Sequence, residues 1–265
     1  MKPRTDILGL ALAAAVVASA TIAPVRAQEE IPLNKLYKDL ADRNRYPAAE
    51  GLKEASADVK CNITEQLVAA FPDAAGKPIT IKYTWSRPDE NSAPAAKFTV
   101  SGVPESVSDL ATRLNNLFAV INPVLVDPIW WEFGALDMKA TKQGEAIALV
   151  GVPKSAGVVK QLSVDVEAST MKVRKVTYDI EGGQLKVEFS SKDLGGKWGA
   201  EKKSIIRPAG AQVFSFEYAQ VDSFWLPSKV TFDQTKPDGS PLGDPQYVYE
   251  FSNWQVTKAA PPAGM

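Results

Sequence analysis

The sequence predicts a mainly β protein with added helices (α+β), built as one large curved antiparallel sheet or unclosed β-barrel covered by helices. Three observations carry this. Apolar and polar residues alternate strictly in many short runs, as in Ile79, Ile81, Tyr83 and Trp85 against Thr80, Lys82, Thr84 and Ser86. Helical periodicity interrupts the strands in only a few places and does not alternate with them, which argues against parallel βαβ units. The 265 residues are 45% hydrophobic, enough for one large core. A second sheet closing a sandwich is the structural competitor.

Taken in order, Lys2 and Arg4 precede an apolar run from Ile7 to about Ala23, and Val25-Arg26-Ala27 follows. This is the layout of a cleaved export signal spanning residues 1–27. The run is short and Ala-rich for a membrane anchor, the alternative. Cleavage removes Lys2, Arg4, Arg26 and Asp6, so the formal net charge moves from −1 to −3. One domain is expected over 28–258 and a disordered Pro/Ala-rich tail over 259–265.

Leu33, Leu36, Tyr37 and Leu40 recur at helical spacing, and Tyr46-Pro47 ends that helix. A short helical stretch is expected from Ala48 to about Ser56. Val59, Cys61 and Ile63 begin the strands, Ile79 to Trp85 continue them, and Phe98 and Val100 mark a third. Val107, Leu110, Ala111, Leu114, Leu117, Phe118 and Ile121 form one helix face. Ser106 and Asp109 resemble a capping box at its start, and Asn122-Pro123 stops it.

Residues 124–133 are strongly apolar, and Pro128 forbids one continuous helix across them while permitting a new one to start. The remainder is strand after strand: Ile147 and Leu149; Leu162 to Val166; Val176 to Ile180. Gly182-Gly183 then turns the chain into Leu185 to Phe189. Phe214 to Tyr218 and Phe224 to Phe232 follow. After Pro237-Asp238-Gly239, Tyr247 to Phe251 close the series.

Composition excludes several chemistries. Without histidine there is no Ser-His-Asp or Cys-His catalysis, and one cysteine cannot replace the missing imidazoles as zinc ligands. Near-neutral charge gives no footprint for nucleic acid. Ser169-Thr170-Met171-Lys172 matches a bare Ser-x-x-Lys pattern, but its companion motifs are missing. The scattered acids read as solvated surface. No enzyme, metal or cofactor is expected. Cys61 shares the phase of Val59 and Ile63, so it should point inward as a small apolar residue.

The aromatics point to something more specific than charge does. A strongly curved sheet need not fill its concave face, and alternate residues of many strands would then line an apolar cavity. The candidate lining and covering residues are Trp85, Leu117, Phe118, Leu125, Trp130, Trp131, Phe133, Phe216 and Tyr218. Segment 124–133 is the candidate lid or part of the cavity wall.

The run Tyr218-Ala219-Gln220-Val221-Asp222-Ser223-Phe224-Trp225-Leu226-Pro227-Ser228-Lys229-Val230, followed by Phe251-Ser252-Asn253-Trp254, resembles a late hairpin and closing strand of the LolA/LolB-like superfamily. The motif likeness covers residues 218–256, and the order of elements agrees over most of the chain. Ser223 stands where a Gly is usual, and the polar stretch 89–96 is long. The resemblance implies an unclosed barrel covered by helices, whose hydrophobic cavity carries a lipid or lipoprotein acyl chain across the periplasm. It implies a membrane-bound donor or acceptor as partner, and a role for Arg87 of Arg87-Pro88 against the lid. The alternative is a non-catalytic envelope scaffold with a filled core. A carbohydrate-binding sandwich would need aromatics on a wet face, whereas the strand parity groups them with aliphatics.

Overall fold

The computed structural model describes residues 29–87, 92, 94–119, 125, 128–242 and 246–259. The expected signal segment lies outside them, as does the tail beyond Ala259, whose own amide donates to the Gly51 carbonyl at 2.7 Å.

Among the described residues, thirteen strands form a single antiparallel sheet. The first part of the chain contains β1 (Glu29–Glu30), α1 (Leu33–Arg43), β2 (Leu52–Cys61), α2 (Thr64–Ala69), β3 (Thr80–Ser86), β4 (Ala95–Ser101) and α3 (Ser108–Ala119). A 3-10 segment, Ile129–Ala135, leads into an unbroken meander. The meander is β5 (Leu136–Gln143), β6 (Ala146–Pro153), β7 (Val159–Glu167), β8 (Lys172–Ile180), β9 (Gly183–Asp193), β10 (Trp198–Arg207), β11 (Gly210–Val221), β12 (Phe224–Thr235) and β13 (Tyr247–Lys258). In space the order is β1, then β5 to β13, then β2, β3 and β4. β1 and β4 are the outermost strands, so the sheet is not closed, in keeping with the expected fold class.

This order has a consequence for the path of the chain. α1 lies over β5 to β9, yet the next strand, β2, pairs beyond β13. After β4 and α3 the chain must return to β5 at the opposite end. The chain therefore crosses the sheet twice. The first crossing uses the turn after α1; of the second, the described residues Leu125, Ile129, Trp130 and Phe133 pack on the face that carries the helices.

The core has two centres on that face. One, rich in aromatics, lies under α3 and is supplied by β2, β3, β4, β11, β12 and β13. Leu110, Leu114 and Phe118 recur every four residues on α3 and are fully buried there. Phe118 stacks on Phe98 at 5.2 Å and meets Tyr249 edge-on at 5.8 Å. The other centre is aliphatic. Leu36 and Leu40 of α1 sit on Ile147, Leu149, Leu162, Val164, Val166 and Val176. Ile205 of β10 packs against both centres.

Several expectations are corrected. The stretch Ala48–Ser56 is not helical: turns occupy 47–51 and β2 begins at Leu52. Its Ala, Glu and Lys favour helix, but pairing with β13 and β3 outweighs propensity once Ala55, Ala57, Val59 and Cys61 are buried. The capping box does not form as read. Ser106 lies inside a 3-10 turn, Glu105–Val107, preceded by Pro104 with no side-chain cap bond. Strands β5 and β10 and helix α2 were not apparent from periodicity. Cys61 does face inward, and burial pushes its thiol pKa up.

Candidate functional site

Where the two core centres meet, the sheet leaves a cavity of about 170 Å³. Its floor is five adjacent strands, a width of roughly 19 Å at ordinary strand spacing. β8 contributes Val173, Val176 and Tyr178; β9 contributes Val187, Phe189 and Ser191. Trp198, Gly199, Ala200 and Lys203 come from β10, Tyr218 from β11, and Trp225 and Pro227 from β12. The roof is made by the two crossings: Asn44, Arg45, Tyr46 and Pro47 from the first, Leu125 and Ile129 from the second. Leu194 closes one side. Two other depressions, of about 400 and 370 Å³, are shallow surface features with few lining residues, and neither is enclosed.

The first crossing is held down by hydrogen bonds. The Arg45 amide donates to Trp198 O at 2.7 Å, and Asn44 Nδ2 donates to Leu40 O and Met171 O, both at 2.9 Å. The Arg45 guanidinium spans Leu194 O (3.0 Å), Gly195 O (3.2 Å) and Glu50 Oε1 (3.2 Å). Lys197 lies 3.6 Å from the same carboxylate.

The second crossing is held by aromatic contacts. Trp130 stacks with Tyr37 of α1 at 6.5 Å and meets Tyr46 edge-on at 5.1 Å. Phe133 lies 5.9 Å from Tyr37. Arg87, buried at the end of β3, places its guanidinium 4.2 Å from the Trp131 ring centre. Such a contact contributes roughly 0.5–2 kcal/mol depending on desolvation. Its amide donates to Lys53 O at 2.8 Å.

Of the residues nominated from sequence, Leu125 and Tyr218 line the cavity. Trp130, Trp131 and Arg87 belong to the covering segment and its anchor. Trp85, Phe118 and Phe216 are buried in the aromatic centre, Leu117 packs against it, and Phe133 is buried in the aliphatic centre. None of these five is on the cavity wall. The floor residues Val173, Val176, Val187, Phe189 and Trp198 were not nominated. The period-two runs Val176–Ile180 and Leu185–Phe189 marked their faces, but nothing local said that the void lies over β8 to β10 and not elsewhere.

Tyr218 donates from its hydroxyl to Ala200 O at 2.8 Å. Burial pushes the Tyr46 and Tyr218 phenols above their ordinary value. The folded state keeps both neutral while the unfolded chain would ionise them near pH ~10. Their contribution to stability is thus full below about pH 10 and lost as pH rises through the higher folded values. The urea midpoint should hold to pH ~9.5 and then fall, and Tyr46→Phe should reduce the fall. A midpoint unchanged to pH ~12 would mean that the phenols reach water in the folded state.

The wall offers burial and little chemistry. Among the described residues that line it there is no carboxylate, and the charged ones are Arg45 and Lys203. Among the described residues, no group of three or more His, Cys, Asp or Glu could hold a metal. None of the described helices is long and apolar enough to cross a membrane.

Solved structures similar to this chain include a LolA superfamily protein from Nitrosomonas europaea. It has 9% identity and a TM-score of 0.35, over 87% of this chain and 96% of that one. A second is a putative outer membrane lipoprotein-sorting protein domain from Vibrio parahaemolyticus, at 10% identity and a TM-score of 0.32, over 86% and 93% of the two chains. A DUF1329 family protein from Desulfovibrio piger has 11% identity and a TM-score of 0.31, over 85% and 93%. No protein-family model and no curated protein matches the chain.

Proposed function

We propose that this protein is an exported, non-catalytic carrier that holds the apolar chain of a lipid or lipoprotein beneath its two crossings and works in the periplasm. The observation that supports this reading is the placement of the void. It is walled by five strands, roofed by segments that the topology forces across the sheet, and lined chiefly by Val, Leu, Ile and aromatic side chains. Each buried methylene adds ~0.8 kcal/mol to binding. A membrane-bound donor or acceptor protein would be the natural partner of such a carrier.

Size sets the terms. About 170 Å³ is close to the ~150 Å³ apolar cavity that takes up a benzene ring and below the ~300–1,000 Å³ of usual ligand pockets. A void of this size suits a short stretch of one chain, and a longer chain requires the wall to move apart. The same small volume favours the second reading, an envelope scaffold whose core is essentially filled.

Native and denaturing mass spectra of the detergent-free protein separate the two. The carrier reading expects an added mass that denaturation removes and that has the composition of an acyl lipid, or uptake of added lipid by the empty protein. Replacing Trp130 and Trp131 by Ser should abolish retention, because it removes the contacts that hold the second crossing to α1 and Arg87. A clean mass that takes up no lipid favours the scaffold.

A further inference from the structure

The pairing of β10 with β11 stops partway along both strands. It runs from Arg207 with Gly210 to Lys202 with Ser215. Past that point β10 extends to Trp198 and β11 to Val221, each still paired on its other side, with β9 and β12. The stop coincides with an extra residue. Ala200 pairs with Ser191 of β9 and Lys202 with the very next residue, Ser190, so Glu201 is a bulge. A second bulge lies across β11, where Glu217 pairs with Lys229 and Tyr218 with Pro227, leaving Ser228 over. Bulges bend a strand and interrupt its ladder. With a bulged neighbour on either side, the last part of β11 splays from the start of β10 and a seam lies between them.

Two side-chain hydrogen bonds cross this seam where backbone bonds would stand. The Tyr218 hydroxyl donates to Ala200 O at 2.8 Å, and Lys192 Nζ of β9 donates to Phe216 O at 2.9 Å. The same ammonium lies 5.1 Å from the Tyr218 ring centre. The seam also separates two hollows. Tyr218, Ala200 and Gly199 line the cavity, whereas Lys192, Glu201 and Glu217 line the shallow depression on the opposite face of the sheet. The Tyr218 ring, in contact with Lys192, stands between the two. A ladder resists parting because its backbone groups have fixed partners. A phenol and a flexible lysine stem can swing aside and exchange their bonds for water.

We propose that the seam is a lateral entrance to the cavity with Tyr218 as its gate. An apolar chain passes between β10 and β11, and its polar end stays in the outer depression. This rests on the carrier reading and names how its ligand enters.

The test is stopped-flow quenching of tryptophan fluorescence by bromodecanol, since Trp198 and Trp225 line the cavity. Tyr218→Phe should speed both entry and exit about fivefold, the scale of one hydrogen bond. A second protein carries Glu201→Cys and Glu217→Cys, at exposed positions on either lip, with Cys61→Ala to remove the native thiol. Bridging its two thiols with a bis-methanethiosulfonate reagent should slow entry and exit at least about tenfold, and dithiothreitol should restore both rates. If the bridged protein fills as fast as the unbridged one, the chain enters elsewhere and the proposal is overturned. Faster exit alone in Tyr218→Phe would make Tyr218 only a piece of wall and overturn its role as gate. If bromodecanol does not enter the wild-type protein at all, the carrier reading itself fails.

Discussion

Replacing Phe118 by alanine should destabilise the protein by about 3–5 kcal/mol, the usual cost of emptying a fully buried phenylalanine site. The side chain has no exposed surface, and its ring lies between Phe98 of the outermost strand and Tyr249 of β13. These contacts are how α3 is fastened to the sheet. Neighbouring rings are held by their own strands and cannot move in to fill the gap, so the cavity term adds to the lost transfer energy. Urea unfolding followed by tryptophan fluorescence measures the effect, and the thermal midpoint should drop by roughly 2–4 °C per kcal/mol. A loss below about 1 kcal/mol would mean that α3 is not integral to the aromatic centre.

Replacing Ala200 by phenylalanine should reduce apolar ligand binding by at least about tenfold at modest cost in stability. Ala200 is a small inward residue on the cavity floor, beside the bulge and opposite Ser191. A ring there occupies the void, whereas a ring added to a fully packed site would typically cost 1–3 kcal/mol. Titration with decanol reads the effect, since a neutral ligand isolates occupancy of the cavity from charge. Val150→Phe is the matching control, because Val150 points to solvent on β6. If Ala200→Phe and Val150→Phe bind decanol alike, the ligand does not enter this cavity.

How far the sequence could be read depends on the element. β3 and β7 alternate cleanly because each has one buried and one wet face, and their period survives in the residues themselves. β10 does not, because the bulge at Glu201 breaks the period in mid-strand. β2 reads as helix in its first half because its alanines favour helix, while burial in the aromatic centre holds them in a strand. The apolar segment before β5 was recognisable as irregular because Pro128 has no place inside a central strand.

For the site, the sequence supplied the kinds of residue and not their positions. Aromatics on an inward face look the same whether they fill a core or border a void. Trp85, Phe118 and Phe216 fill the core, and Tyr218, on the same strand as Phe216, borders the void.

By itself, then, the sequence determined the class of fold, the order of most of its strands and the absence of imidazole chemistry, because these follow from local periodicity and from composition. The tertiary structure decided where the two crossings pass, that the void opens between two core centres, and that Lys203 faces it. Each of these depends on strand order or on a single extra residue in a ladder, and pairing between distant strands leaves no periodic trace in either partner.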